Sequence, residues 1–307
     1  MVRGSTNPSF LSRQKILDII RGTHLLRDAD PESLPTRVFP LQRQHMASLQ
    51  PFYNKYDKPL SPVDFHSILC GKIEKASKRI YLASLYVGPA VVGHPQEARL
   101  LQSLHKATQQ NENLNIKILL DKSRGLRPVP IKNSSEDTTI TSAEACQRAL
   151  ARNSGTSAST VLDHNSRHAV YLHSVLPSYL QKILPNPLDE AAGVFHIKAY
   201  IIDDELILSG ANLSEEYFND RHDRYLHIIK GGNGLVDWYA DLVDILCEHS
   251  NKYQGVGNDL EDRAKPRQNL IAAVKKLLHS PKSAAGNPEN PDDMDESIVA
   301  MACPTFQ

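Results

Sequence analysis

The sequence predicts an α/β fold with a mixed, mostly parallel sheet flanked by helices on both faces. Three segments carry that prediction. Residues 79–87 (RIYLASLYV) form an apolar run of strand length, residues 97–108 have helical character, and residues 115–121 (NIKILLD) form a second strand. Strand–helix–strand order brings the two strands together in parallel. The chain has 307 residues, 40% of them hydrophobic and 23% charged, which is enough apolar material for a sizeable core. No run of 18 apolar residues offers a membrane-spanning helix.

The elements follow in order. Residues 1–27 carry Arg3, Arg13, Lys15, Arg21 and Arg27 against the single acid Asp18, with Phe10, Leu11, Ile16, Leu17, Ile19 and Ile20 for an apolar helix side. That composition fits an organelle transit peptide; the alternative is the first helix of the folded protein. Residues 28–60 are polar and broken by prolines, so 1–57 reads as a leader and 58–253 as the folded unit. Ser61-Pro62-Val63-Asp64 starts a helix that continues through Phe65, Ile68, Leu69 and Ile73. Residues 128–166 are rich in Ser, Thr, Asn and Pro and read as a surface insertion with one short helix near 142–152. A short strand follows at 169–173, a short helix at 178–184, and an amphipathic helix at 235–248. Residues 254–307 read as a linker, a short helix near 270–278 and a disordered tail.

Composition excludes several functions. Lys plus Arg is 35 and Asp plus Glu is 35, so bulk charge does not hold this chain on nucleic acid, and none is expected as a partner. Cys70, Cys146, Cys247 and Cys303 lie far apart with no CxxC, which points to neither a zinc site nor a disulfide framework and fits a reducing compartment.

The chemistry is concentrated in residues 194–229, VFHIKAYIIDDELILSGANLSEEYFNDRHDRYLHII. His196-x-Lys198 is followed after four residues by Asp203 and after six more by Gly210-Ala211-Asn212. With 13 histidines in the chain an isolated HxK means little. The matches at Asp203, Gly210 and Asn212 reduce the chance occurrence to the order of 10⁻⁴. Side chains two apart on a strand share a face, so His196 and Lys198 project together while Phe195, Ile197, Ala199 and Ile201 pack on the other side. Asp203-Asp204 is a turn, residues 206–208 the return strand, and Gly210 permits a tight turn or close approach. Asn212 stands at the start of a helix through 215–218, where free N–H groups attract anions. An imidazole, an ammonium and an amide converging on one point suit a phosphoryl group. Each residue also has a plain structural role open to it: a core histidine, an edge-strand lysine, a turn aspartate, an Asn212–Glu215 capping pair.

The HxK(x)4D(x)6GxN pattern resembles the signature of the phospholipase D superfamily. Within it, RIYLASLYVG at 79–88, ILLDKSRG at 118–125 and residues 195–225 resemble the CDP-diacylglycerol–glycerol-3-phosphate 3-phosphatidyltransferases of the mitochondrial eukaryotic type. The stretches VYLHSVLPSYLQKILP and LVDWYADLVDIL are similar to that family as well, so the resemblance covers about 60–250.

The resemblance implies a phospholipase D-like domain and a two-step displacement. His196 attacks the phosphate of CDP-diacylglycerol, CMP leaves, and glycerol 3-phosphate takes the phosphatidyl group from the histidine. It implies that Lys198 and Asn212 bind the non-bridging oxygens, that Asp223 orients the imidazole, that Gly210 shapes the substrate site, and that Asp203 holds the site together. No metal and no cofactor are implied. A mitochondrial location with peripheral membrane contact follows from the same family. The superfamily site uses two HxK motifs, and this chain has one; His279-Ser280-Pro281-Lys282 has the wrong spacing. The second half is therefore expected from outside these residues, either a missing segment or a second copy. Two alternatives follow: a homodimeric single-motif phosphodiesterase, or an inactive half-enzyme.

Overall fold

A computed structural model describes residues 39–42, 46–49, 61–131, 138–151, 167–175, 194–255, 260–261, 267–279 and 298–302. The leader helix, the helix expected at 178–184 and most of the tail lie outside the described residues. In chain order the elements are β1 (Phe39–Gln42), β2 (Met46–Leu49), α1 (Pro62–Ile73), β3 (Arg79–Ser84), α2 (Pro95–Gln110), β4 (Asn115–Asp121), α3 (Lys122–Gly125), β5 (Val129–Pro130), β6 (Thr139–Ile140), α4 (Ser142–Leu150) and β7 (His168–His173). They continue with β8 (Ala199–Ile202), β9 (Glu205–Ser209), α5 (Glu215–Asn219), β10 (Tyr225–Ile228), α6 (Leu235–Glu248), β11 (Asn251–Tyr253), β12 (Leu260–Glu261), α7 (Arg267–His279) and β13 (Ile298–Ala302).

The main sheet has the strand order β12-β11-β7-β4-β3-β8-β9-β10-β2. It is mixed and flanked by helices on both faces, as the sequence predicts, but it is not mostly parallel. Only β3–β4 and β4–β7 are parallel. The other pairings in the sheet are antiparallel. The reason lies in the connections. A helix crosses over between β3 and β4, and another between β4 and β7, which permits parallel neighbours. A two-residue turn between β8 and β9 can only reverse the chain.

Strand alternation divides the core into two layers. Ile80, Leu82, Ile116, Ile118, Leu120, Tyr200 and Ile202 face one side, where they meet Phe65 and Leu69 of α1, Leu100 and Leu104 of α2, and Phe218 of α5. Tyr81, Ala83, Leu119, Ala199 and Ile201 face the other, against Leu235, Trp238 and Leu242 of α6 and Leu277 of α7. α1 begins with a reciprocal cap, in which Ser61 Oγ accepts from Asp64 N–H and Asp64 accepts from Ser61 N–H.

Two expectations change. α4 is not part of a surface insertion, because Ala143, Cys146, Ala149 and Leu150 are buried in the first core layer. Its small side chains let it lie close against α2 and β7. Residues 298–302 of the expected disordered tail form β13, antiparallel to β1.

The segment after β3 is tied to the segment before α5. Gly88 N–H donates to Leu213 C=O at 2.7 Å. Buried Glu97 of α2 accepts from Glu215 N–H at 2.9 Å and from Ala90 N–H at 3.0 Å. Glu215 returns the contact by accepting from Gln96 N–H at 3.1 Å. The starts of α2 and α5 thus cap each other with carboxylates. A Cβ on Gly88 would fall 1.9 Å from the Glu97 carboxyl carbon. Since backbone amides fix that carboxylate, Gly88→Ala is expected to cost about 2–4 kcal/mol in urea unfolding, by displacing a buried charge.

Candidate active site

The lead-in to β8 carries the site. Residues 194–198 precede the ladder pairing, which begins where Ala199 pairs with Ala83 and Leu208. Phe195 and Ile197 turn into the α6 layer. His196 and Lys198 take the opposite side, as strand alternation requires. His196 is exposed and Lys198 is only 6% exposed.

Lys198 is the electrostatic centre. Its Nζ donates to His196 C=O at 3.1 Å. Burial pushes its pKa down to about 8, and the nearby Asp223 carboxylate only partly opposes that fall. An ammonium has three donors; this one makes a single hydrogen bond among the described residues. The His196 imidazole is held below its ordinary pKa, first by partial burial and then by the Lys198 cation, against an opposing pull from Asp121. The ring is therefore mostly neutral at neutral pH, the state a nucleophile needs.

Asn212 is 4% exposed, and its Oδ1 has no hydrogen-bond partner among the described residues. A buried amide oxygen without a partner marks a place for a donor from a ligand or water. Gly210 N–H donates to Asp223 Oδ1 at 3.2 Å, and a Cβ at 210 would lie 2.6 Å from Asp223 Oδ2. Glycine is required there because the carboxylate comes so near the backbone.

Asp203 lies at the β8–β9 turn with φ +52. Its carboxylate accepts from the backbone N–H groups of Ser77, Lys78 and Arg79 and from Ser77 Oγ. Burial raises its pKa, but these hydrogen bonds outweigh it and the net shift is downward. Asp203 thus joins the β8–β9 hairpin to the start of β3, while His196, Lys198, Asp223 and Gly210 are linked to one another elsewhere.

Two features differ from expectation. The helix start after Asn212 does not offer amides to an anion, because α5 has five residues and the Glu215 N–H is already taken by Glu97. Asp223 faces Lys198 and the Gly210 backbone, and no hydrogen bond joins it to His196 among the described residues. Its Oδ1 is engaged by the Gly210 and Arg224 amides. The acid whose charge His196 feels is Asp121, which sequence reading treated only as the last residue of a strand. The signal for it was its place at the carboxyl end of a parallel strand, where sites of open α/β sheets collect.

With that geometry in view, comparison with known proteins places the chain. No protein-family model matches it. The architecture is that of phosphatidylserine synthase from Haemophilus influenzae, with TM-score 0.53 and 20% identity over 87% of this chain and 49% of that one. By sequence the chain is similar to proteins named as CDP-diacylglycerol–glycerol-3-phosphate 3-phosphatidyltransferases. It is 34% identical over 193 residues to a protein of Dictyostelium discoideum named as a probable member, covering 63% of this chain and 30% of the relative. It is 32% identical over 196 residues to the enzyme of Gallus gallus named mitochondrial, again 63% of this chain and 32% of the relative. The match thus spans about a third of the length of the curated relatives.

Because Asp203 binds several backbone amides as an anion, Asp203→Ala is expected to destabilise the chain by about 2–3 kcal/mol in urea unfolding at pH 7. Its lowered folded pKa means that this contribution is present above the unfolded carboxylate value near 3.9 and is lost as pH falls through the folded value. The gap between wild type and Asp203→Asn should therefore be full at pH 5–7 and narrow below about pH 4.

Proposed function

We propose that this chain carries the nucleophile-bearing half of a phosphatidyltransferase site that moves phosphatidyl from CDP-diacylglycerol to glycerol 3-phosphate. The observation that supports this most directly is the buried Lys198 ammonium, which makes one hydrogen bond, to the backbone carbonyl of the exposed His196. The names of the relatives supply the substrates.

In the first step a His196 ring nitrogen attacks the phosphorus bearing diacylglycerol. The N–P bond forms, the phosphoanhydride P–O bond breaks, and CMP departs with that electron pair. In the second step the primary hydroxyl of glycerol 3-phosphate attacks the same phosphorus. The O–P bond forms, the N–P bond breaks, and the imidazole returns, giving phosphatidylglycerol phosphate. Lys198 and Asn212 bind the non-bridging oxygens as charge develops on them. Asp223 holds Lys198 in its charged form, Gly210 allows that carboxylate its position, and Asp203 fixes the hairpin beneath. The acid for CMP and the base for the acceptor hydroxyl come from a second half-site, on another segment or another copy of the chain. Substrate is met at a membrane surface, since CDP-diacylglycerol is a lipid. Several relatives are named mitochondrial, and that location is proposed for this chain.

The test uses CDP-diacylglycerol carrying ³²P in the phosphatidyl phosphate, in mixed micelles. The chain should become labelled on His196 with release of CMP, and glycerol 3-phosphate should discharge the label into phosphatidylglycerol phosphate. His196→Ala should abolish labelling, and Lys198→Ala should slow it by about 10²–10³. Discharge to water alone would instead identify a phosphodiesterase. A chain that never takes label, even with a second half supplied, would be an inactive half.

The pH dependence of kcat/KM for labelling should be bell-shaped. It should fall on the acid side below 6.5, where His196 gains its proton, and on the alkaline side near 8, where Lys198 loses one.

A further inference from the structure

We propose that Asp121 is a positioning residue for His196: its buried carboxylate anchors the peptide N–H beside the histidine and supplies the negative charge against which the imidazolium is balanced. The proposal rests on the reading of His196 as the attacking group.

Asp121 ends β4 and is 3% exposed. Its Oδ2 accepts from Phe195 N–H at 2.8 Å, and its Oδ1 accepts from Arg124 N–H at 3.0 Å as the cap of α3. Both carboxylate oxygens are thus engaged by backbone, so the group cannot swing away. The segment it grips needs such a hold. Residues 194–198 stand outside the ladder; their backbone is held by the bond from Phe195 N–H to Asp121, by Lys198 Nζ on the His196 carbonyl, and by a long 3.4 Å bond from Ser209 N–H to Lys198 C=O. Across the strand pair, His173 is the register partner of Asp121, and its ring lies 5.2 Å from the Phe195 ring. Phe195 is therefore held at its amide by Asp121 and at its ring by His173. The backbone of residue 196 follows from those two contacts.

The charges around the ring are Lys198 on its own strand and Asp121 on β4, with Arg124 beside Asp121. Lys198 repels the imidazolium and Asp121 attracts it, so neutralising Asp121 should leave the repulsion unopposed and lower the His196 titration further. Burial lifts the pKa of Asp121 above the ordinary carboxylate value, and the amides of Arg124 and Phe195 only partly pull it back.

The test is NMR titration of the full chain, which needs no turnover. In Asp121→Asn, which keeps one carbonyl oxygen for Phe195 N–H, the His196 ring should titrate about half a unit or more below wild type. Asp223→Asn should move it less. A His196 midpoint unchanged within about 0.2 unit in folded Asp121→Asn would overturn the proposal. Should that variant not fold, wild type decides: the Phe195 amide proton should move with the ionisation of the Asp121 carboxylate, and an amide resonance flat from pH 3 to 7 would overturn it. A negative labelling result with CDP-diacylglycerol would remove the functional reading and leave these titrations as they are, so the two failures are distinguishable.

Discussion

The site depends on one electrostatic fact: a lysine ammonium is kept almost out of water at the end of a sheet with too few partners of its own. Desolvating a cation is costly, and an unmatched one shifts its pKa toward neutrality. Lys198 does so, down to about 8, with a backbone carbonyl and the Asp223 charge as its compensation. What would complete its shell is an anion. The neighbouring imidazole is kept neutral by its own partial burial first and by the Lys198 cation second. One constraint therefore produces an anion receptor and a nucleophile together.

Away from the site, other acids hold the scaffold together through backbone amides. Asp203 spends its carboxylate on three successive backbone amides and so locks the β8–β9 hairpin to β3. Glu97 and Glu215 satisfy each other's helix starts. Asp223 and Asp121 are held by backbone amides as well, yet their charges still act on Lys198 and on His196.

Much of this was legible in the sequence. The β4 and α6 boundaries, the reversal at Asp203-Asp204 and the division of residues 195–201 between two faces follow from apolar periodicity and turn chemistry. The motif spacing singled out His196, Lys198, Gly210 and Asn212, of which Lys198 bonds to the His196 carbonyl and Gly210 to Asp223. What was illegible depended on contacts distant in sequence. Residues 142–150 read as part of a polar insertion because its neighbours are rich in Ser and Thr, yet Ala143, Cys146 and Ala149 are core. The capping of α5 by Glu97 spans 118 residues and leaves no local mark. Asp121 looked like a strand end because its partner, the Phe195 amide, is 74 residues away. The direction of the sheet was misjudged because strand order, unlike strand existence, is decided by connections such as the hairpin.

The central claim is that His196 and Lys198 form one receptor for pentavalent phosphorus. A crystal structure of the full chain with vanadate, which adopts that geometry, tests it most directly. The account predicts vanadium bonded to a His196 ring nitrogen, with its equatorial oxygens on Lys198 Nζ and the Asn212 side chain. Vanadate bound elsewhere, or a His196 ring and Lys198 ammonium that never meet the same ion, would contradict it.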